Sequence, residues 1–437
     1  MSEENSILGL VTIAPEIIEG MNKDVKSITD FKEIIEVYIA QNTTELLDVL
    51  LYGAIHLGAS DIHFEPQEDK VRLRIRLDGN LQDTAFFKKD IYHNILNRLK
   101  LISKIKLNIT DKPQDCRFTI ETAEALIEMR TSSLPSEYGE SVVMRILDAK
   151  NLKNIESLGL RKDIYDIFVK EIKRPNGMIV VTGPTGSGKT TTLYAFLMKI
   201  QNPEIKIITI EDPIEYHIKG ISQTQASPEK GYGFAEGLKS IVRQDPDVIL
   251  VGEIRDLETA KIALQASLTG HLVLSTLHTN DSAGTVPRLI DLGAGASSVA
   301  PALKMVIAQR LVRKVCRECS KLTQPSAEQL KEIKTGLKNL SKEVQIPDLD
   351  KIQIAKISEK GCTVCSFTGY KGRTGLYEVF LVDSEMEKFI LSNPPVSDIK
   401  ELAIKNGMVT IWQSGLIEVA LGITTLEEVK KVVGEDE

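Results

Sequence analysis

Residues 178–192 read MIVVTGPTGSGKTTT, and no other stretch of the chain restricts its fold so tightly. Gly183, Gly188, Lys189 and Thr190 occupy the fixed places of the pattern G-x-x-x-x-G-K-[ST]. Glycines at those places let backbone N–H groups turn inward around phosphates. The lysine adds a point charge near the β and γ phosphates, and the threonine hydroxyl is a magnesium ligand. The bare pattern also occurs in flexible glycine-rich turns. Here an apolar strand precedes it and a helix follows, and such a helix directs its positive end at the same anion. The loop thus runs through Gly183, Pro184, Thr185, Gly186, Ser187, Gly188, Lys189 and Thr190, with Thr191 beside it.

The pattern around this loop repeats the strand–helix alternation. Short apolar runs at 178–182, 205–210, 248–251 and 272–276 alternate with amphipathic runs at 190–200, 234–244, 257–269 and 282–292. Continuous Ile/Val/Leu strands separated by helices predict a parallel sheet covered on both faces, an α/β domain over 151–315. In an open parallel sheet, ligands bind beyond the carboxyl ends of the strands. The phosphate loop marks that edge, and three further strands deliver polar residues to it: Glu211, Asp212 and Glu215; Glu253; and His278. Phosphoryl transfer to water needs a magnesium ion, a positioned water and a group that orients or deprotonates it. Glu253 and Glu215 are the candidates. Acids after strands also cap helices, which is the reading for Asp256. His278 is placed either to sense the γ-phosphate or to bond a neighbouring strand, while His271 precedes its strand and stands further from the phosphates.

Upstream, residues 44–150 read as a smaller α+β domain. Leu46, Leu47, Leu50, Leu51, Ala54 and Ile55 recur at helical spacing, and 70–78 alternates strictly, with Arg72, Arg74 and Arg76 on the polar face. A helix through Ile91, Ile95, Leu99 and Ile102 and strands at 60–64, 116–121, 126–130 and 141–147 complete it. Residues 1–43 read as a short, poorly defined leader, with a helix at 31–40 as the alternative. The end of the chain, 379–437, reads as helical, with Ser397 capping a helix that Gly407 ends and Thr425 with Glu428 forming a capping box.

Four of the five cysteines form two Cys-x-x-Cys pairs, Cys316/Cys319 and Cys362/Cys365, with a charged insert at 320–361 between them, and 316–378 reads as a metal-binding subdomain. Two such pairs can close a tetrahedral zinc site with no open position, a structural site. Reduced or redox-active thiols are the other reading. Cys116 stands alone and reads as a small core residue. The chain has no run of 18 apolar residues, and MSEENSILGL lacks the features of a signal peptide, so a cytoplasmic protein is expected. A net charge of −7 speaks against a nucleic-acid partner.

These motifs together resemble the type II secretion and type IV pilus assembly ATPases (the GspE/PilB type of P-loop secretion NTPase). The stretches that carry the resemblance are LGASDIHFEP at 57–66, RLRIRLDG at 72–79, PQDCR at 113–117, GPTGSGKTTTLYA at 183–195, TIEDPIEY at 209–216, RQDPDVILVGEIRD at 243–256, TGHLVLSTLHTNDS at 269–282 and GYKGRTGLYEV at 369–379. The cysteine tetrad matches too, and the likeness runs from about residue 45 to the end. It implies a RecA-like ATPase domain, a homohexameric ring, and ATP, Mg2+ and Zn2+ as cofactors. It also implies work on an inner-membrane platform protein, with the chain cytoplasmic and peripheral to that membrane through its partners. By the same resemblance, Glu211, Asp212 and Glu215 form an acidic box, Glu253 belongs to the Walker B segment, and His271 and His278 lie in a histidine box. Arg117 and Arg130 match first-domain arginines that reach toward phosphates, and Arg243 and Arg255 match further basic positions. Any of these arginines can instead serve a surface ion pair.

Three departures stand out. Set against the resemblance, the family's large N-terminal domain is expected to be either missing or reduced to about 40 residues here. Lys112 and Cys116 stand where Arg and Gly are commoner. The cysteine tetrad, usually lacking in retraction ATPases, favours assembly or secretion. The rival readings are a nucleic-acid translocating hexamer and a nucleotide-gated assembly scaffold that does not turn over.

Overall fold

The computed structural model describes residues 10–122, 125–341 and 344–434. The chain divides into two compact units. One comprises residues up to 151 with Ser358–Lys371, the other Leu152–Ile357 with Gly372–Glu437.

The first unit is built on a seven-stranded sheet in the order Leu10–Thr12, Gln114–Glu121, Leu126–Ser136, Gly139–Leu147, Asp61–Pro66, Val71–Leu77, Asn80–Phe87. Only the first pair is parallel. The alternation along Val71–Leu77 works as its pattern demands: Val71, Leu73 and Ile75 are buried while Arg72, Arg74 and Arg76 face out. The apolar face packs on helices Pro15–Asp24, Ile28–Tyr38, Thr43–His56 and Lys89–Ile102 in one core. Residues 10–38, expected as leader, supply a strand and two helices. Ser27 and Asp30 close a reciprocal capping box, and Phe31 and Ile35 are fully buried. A buried ion pair joins Lys100 Nζ to Glu140 Oε1 at 2.6 Å. Cys116 is half-buried rather than in the core, its Sγ 3.7 Å from the Lys104 carbonyl.

The second unit carries a seven-stranded sheet in the order Ser222–Gln225, Ile207–Glu211, Val248–Val251, Leu272–Leu277, Gly177–Thr182, Leu303–Val315, Tyr370–Leu381. The first six strands run parallel. Apolar cores fill both faces. Helices Phe234–Val242, Leu257–Leu268, Thr285–Asp291 and Ala296–Ala302 cover one, and Lys162–Glu171 and Lys189–Ile200 the other. The four strands read from the sequence are thus adjacent. The long strand Leu303–Val315 was not expected, because Lys304, Gln309 and Arg310 interrupt its apolar run.

Near the chain's end, Ser397 does not cap: helix Val396–Lys405 starts after Pro395, and the Ser397 hydroxyl donates to Asp398. Thr425 accepts the Glu428 N–H as expected, while the Glu428 carboxylate takes the Arg313 backbone and guanidinium.

Candidate nucleotide site and cysteine cluster

The phosphate loop leaves the carboxyl end of Gly177–Thr182 and enters the helix at Lys189, as its spacing requires. Gly183 and Gly188 have φ of 142° and 91°, regions open to glycine. Space demands glycine as well. A Cβ on Gly183 would lie 2.5 Å from the Gln309 carbonyl oxygen, and one on Gly188 2.8 Å from Gln309 Nε2. No described side chain caps the helix that starts at Lys189, so its first N–H groups point at the loop. Ser187 Oγ is buried with no hydrogen-bond partner among the described residues. An orphaned buried hydroxyl inside such a cradle fits a bound oxyanion.

Lys189 Nζ donates to the carbonyls of Gly183 (2.8 Å) and Pro184 (3.1 Å). Burial holds its ammonium below the usual lysine range. The Glu253 carboxylate opposes that shift and Arg310 adds to it. Glu253, just past the end of Val248–Val251, is 12% exposed. Its Oε1 is 2.6 Å from Arg255 Nη2 and its Oε2 3.7 Å from His278 Nε2. Burial and the nearby Lys189 charge keep His278 below its ordinary value, against the pull of Glu253. The neutral ring is therefore favoured at neutral pH. Thr182 Oγ1 accepts the Thr279 N–H at 2.8 Å, which ties the base of the phosphate loop to the turn that carries His278.

The acidic box divides. Glu211 is the last residue of strand Ile207–Glu211 and is 3% exposed. One oxygen accepts from Thr209 Oγ1 (2.7 Å) and Gln223 Nε2 (3.2 Å), the other from the Tyr194 hydroxyl. Burial raises its carboxyl despite these donors. Asp212 is exposed, and Glu215 is half-buried on the turn beyond. Asp256 caps its helix by accepting the Thr259 N–H at 2.8 Å.

Two residues are not brought to the loop within this chain. Arg243 ends helix Phe234–Val242 just before Val248, so it lies at the amino ends of the strands, where its Nη2 bonds Ser240 Oγ. His271 lies at that same edge, with Nδ1 3.0 Å from the Ala266 carbonyl. Arg117 and Arg130 belong to the first unit, directly opposite one another in register, with Arg117 Nη1 3.2 Å from Glu128 Oε1.

The structure adds two residues that the sequence reading missed. Gln309, 2% exposed, accepts from Thr192 Oγ1 at 2.8 Å. Arg310 Nη2 donates to the Asn280 carbonyl at 2.7 Å, and its Nη1 would stand 3.0 Å from a Cβ on Gly183. A polar pair in an otherwise apolar strand was the available signal.

The Sγ atoms of Cys316, Cys319, Cys362 and Cys365 all lie within 4.8 Å of one another. Tetrahedral zinc with bonds of about 2.3 Å places sulfurs about 3.8 Å apart, and Cys362 and Cys365 stand at 3.7 Å. Cys365 Sγ accepts backbone N–H groups from Cys362 and Gly369, both at 3.2 Å. Such donors favour a ligating thiolate. The donor set therefore fits a closed Zn2+ site that these four residues would hold.

The chain matches the family described as type II/IV secretion system protein over residues 40–431. It is 42% identical over 392 residues to the type II secretion system ATPase E of Vibrio cholerae, covering 90% of this chain and 75% of that protein. It is 42% identical over 386 residues to the type IV pilus assembly ATPase PilB of Pseudomonas aeruginosa, covering 88% and 66%. Among solved structures, the pilus retraction motor PilT with bound ADP superposes at a TM-score of 0.59, with 26% identity, over 89% of this chain and 96% of that one. Phosphate loop, edge acids and likeness agree: the chain belongs to the type II/IV secretion system protein family.

Proposed function

We propose that this chain hydrolyses ATP to drive assembly of a type IV pilus or a type II secretion pseudopilus. One observation supports this above the others. Glu253 sits at the carboxyl edge of four adjacent parallel strands, electrostatically coupled to Lys189 of a complete phosphate loop. In this reading the loop from Gly183 to Thr191 cradles the triphosphate and Lys189 neutralises its β and γ oxygens. The Thr190 hydroxyl would hold Mg2+, which supplies charge neutralisation at the phosphates. Glu253 and Glu215 orient and deprotonate the attacking water. His278, neutral beside Glu253, reads the terminal phosphate. Arg255 shields Glu253 until nucleotide enters, and Arg117, Arg130 and Arg243 complete sites in a homohexameric ring.

The four cysteines hold structural Zn2+ within a subdomain over 316–378. We read the first unit as the α+β domain, with residues 10–38 part of its core, and the second as the RecA-like domain, whose sheet also takes in Leu303–Val315 and Tyr370–Leu381. No described helix is long and apolar enough to cross a membrane. The ring would act on an inner-membrane platform protein from the cytoplasmic side, without nucleic acid.

The test is ATP turnover by Glu253→Gln at equal nucleotide binding. A general base contributes about 10²–10⁴-fold, so a loss of at least about 100-fold is expected with the nucleotide Kd unchanged. Equal turnover in the two proteins would refute the hydrolase reading and leave a nucleotide-gated scaffold.

A further inference from the structure

Tyr194 is fully buried, in the helix whose first turn carries Lys189 and Thr190, and its hydroxyl has no part in the chemistry above. That hydroxyl donates to Glu211 Oε2 and accepts the backbone N–H of Glu215 at 3.3 Å. The Tyr216 amide faces the same oxygen. The Tyr194 and Tyr216 rings meet edge to face at 6.3 Å. Gln223 secures the turn from its far side. Its Nε2 donates to the Tyr216 carbonyl at 3.0 Å as well as to Glu211, and its Oε1 accepts the Ile218 N–H at 2.7 Å.

Glu211 is thus a hub with both oxygens engaged by protein donors. A carboxylate so occupied, and 3% exposed, is poorly disposed to meet a water at the phosphates. Glu215, four residues on and half-buried, sits on the turn that this hub holds.

We propose that Tyr194 is a positioning residue for Glu215. Its hydroxyl transmits the place of the phosphate-binding helix to the turn that carries the water-orienting acid, and Glu211 anchors that tie rather than acting as a second acid at the water. The inference rests on the role given to Glu215 above.

Tyr194→Phe keeps the ring and removes the hydroxyl. Small displacements of a catalytic group cost rate steeply, so kcat is expected to fall about tenfold while KM for ATP stays within about twofold. A purely structural role would lower thermal stability or raise KM without that split. The decisive comparison is a cycle with Glu215→Gln. In that background, Tyr194→Phe is expected to cost less than about twofold more, because the group it positions is already disabled. Fluorescent-nucleotide binding at wild-type affinity verifies folding. If Tyr194→Phe does not fold, Glu211→Leu removes the acceptor at the same hydroxyl and carries the same expected tenfold loss. If Tyr194→Phe turns over like wild type, or its loss is fully additive with Glu215→Gln, the positioning role is overturned. If Glu215→Gln alone keeps wild-type kcat, the role of Glu215 fails first, and the positioning role fails with it.

Discussion

Replacing Gly183 by alanine tests the loop geometry against physical cost. The residue has φ of 142°, a region essentially closed to L side chains; holding alanine there costs about 1–3 kcal/mol. The added Cβ would also meet the Gln309 carbonyl oxygen at 2.5 Å and Ser187 Oγ at 2.8 Å. The first of these is backbone in the middle of a buried strand and cannot swing away, so overpacking adds about 1–3 kcal/mol. The loop would escape both costs by leaving the phosphate-binding conformation, and the sum of about 4 kcal/mol appears as lost affinity. Gly186 is the control. It has φ of 80°, but nothing lies within 4 Å of a Cβ there, so only backbone strain of about 1–2 kcal/mol applies. The two variants should differ by about 2.5 kcal/mol, or about 60-fold in Kd. Titration with a fluorescent ATP analogue, alongside thermal unfolding, measures this. Equal losses for both, or Gly183→Ala binding within threefold of wild type, would refute the cradle as described.

Two further outcomes are expected. Burial lifts the Glu418 carboxyl from its usual range to about 7, against the opposing pull of Arg161, and its Oε2 has no hydrogen-bond partner among the described residues. The folded chain thus holds a proton that the unfolded chain releases from about pH 4.5 upward, so stability falls as pH rises from there through 7. The full difference amounts to about 3 kcal/mol. Glu418→Gln should match wild type near pH 4.5 and exceed it by that amount at pH 8, measured by urea unfolding; parallel pH curves would contradict this. Elemental analysis of protein purified without chelator should find one zinc per chain, lost in Cys365→Ser. Less than one zinc per several chains would remove the metal site.

Much of the site was legible because its chemistry dictates local spacing. The strand, loop and helix around Lys189 follow from steric and electrostatic needs met within fifteen residues, and Asp256 caps where a short acid before an apolar run must. Features set by distant partners were not legible. Strand Leu303–Val315 was hidden because Lys304, Gln309 and Arg310 look like surface residues. Their partners are the Pro301 carbonyl and Thr192, on two helices, and the Asn280 carbonyl, in a loop, all outside the strand. Asn80–Phe87 was missed because a register irregularity at Leu73/Arg74 accompanies its broken alternation. Glu211, Asp212 and Glu215 look equivalent in a linear motif, yet the Tyr194 hydroxyl separates the first from the last. Arg243 follows the same logic: a motif records its neighbours in the chain and is silent about which edge of the sheet it reaches.

Everything functional here depends on triphosphate binding where Gly177–Thr182 ends, with Lys189 as its principal cation. Isothermal titration of ATP with Lys189→Ala, paired with steady-state turnover, addresses that directly. The expected result is a Kd raised at least tenfold and turnover at background, with the unfolding temperature unchanged. Wild-type affinity and turnover in that variant would contradict the account.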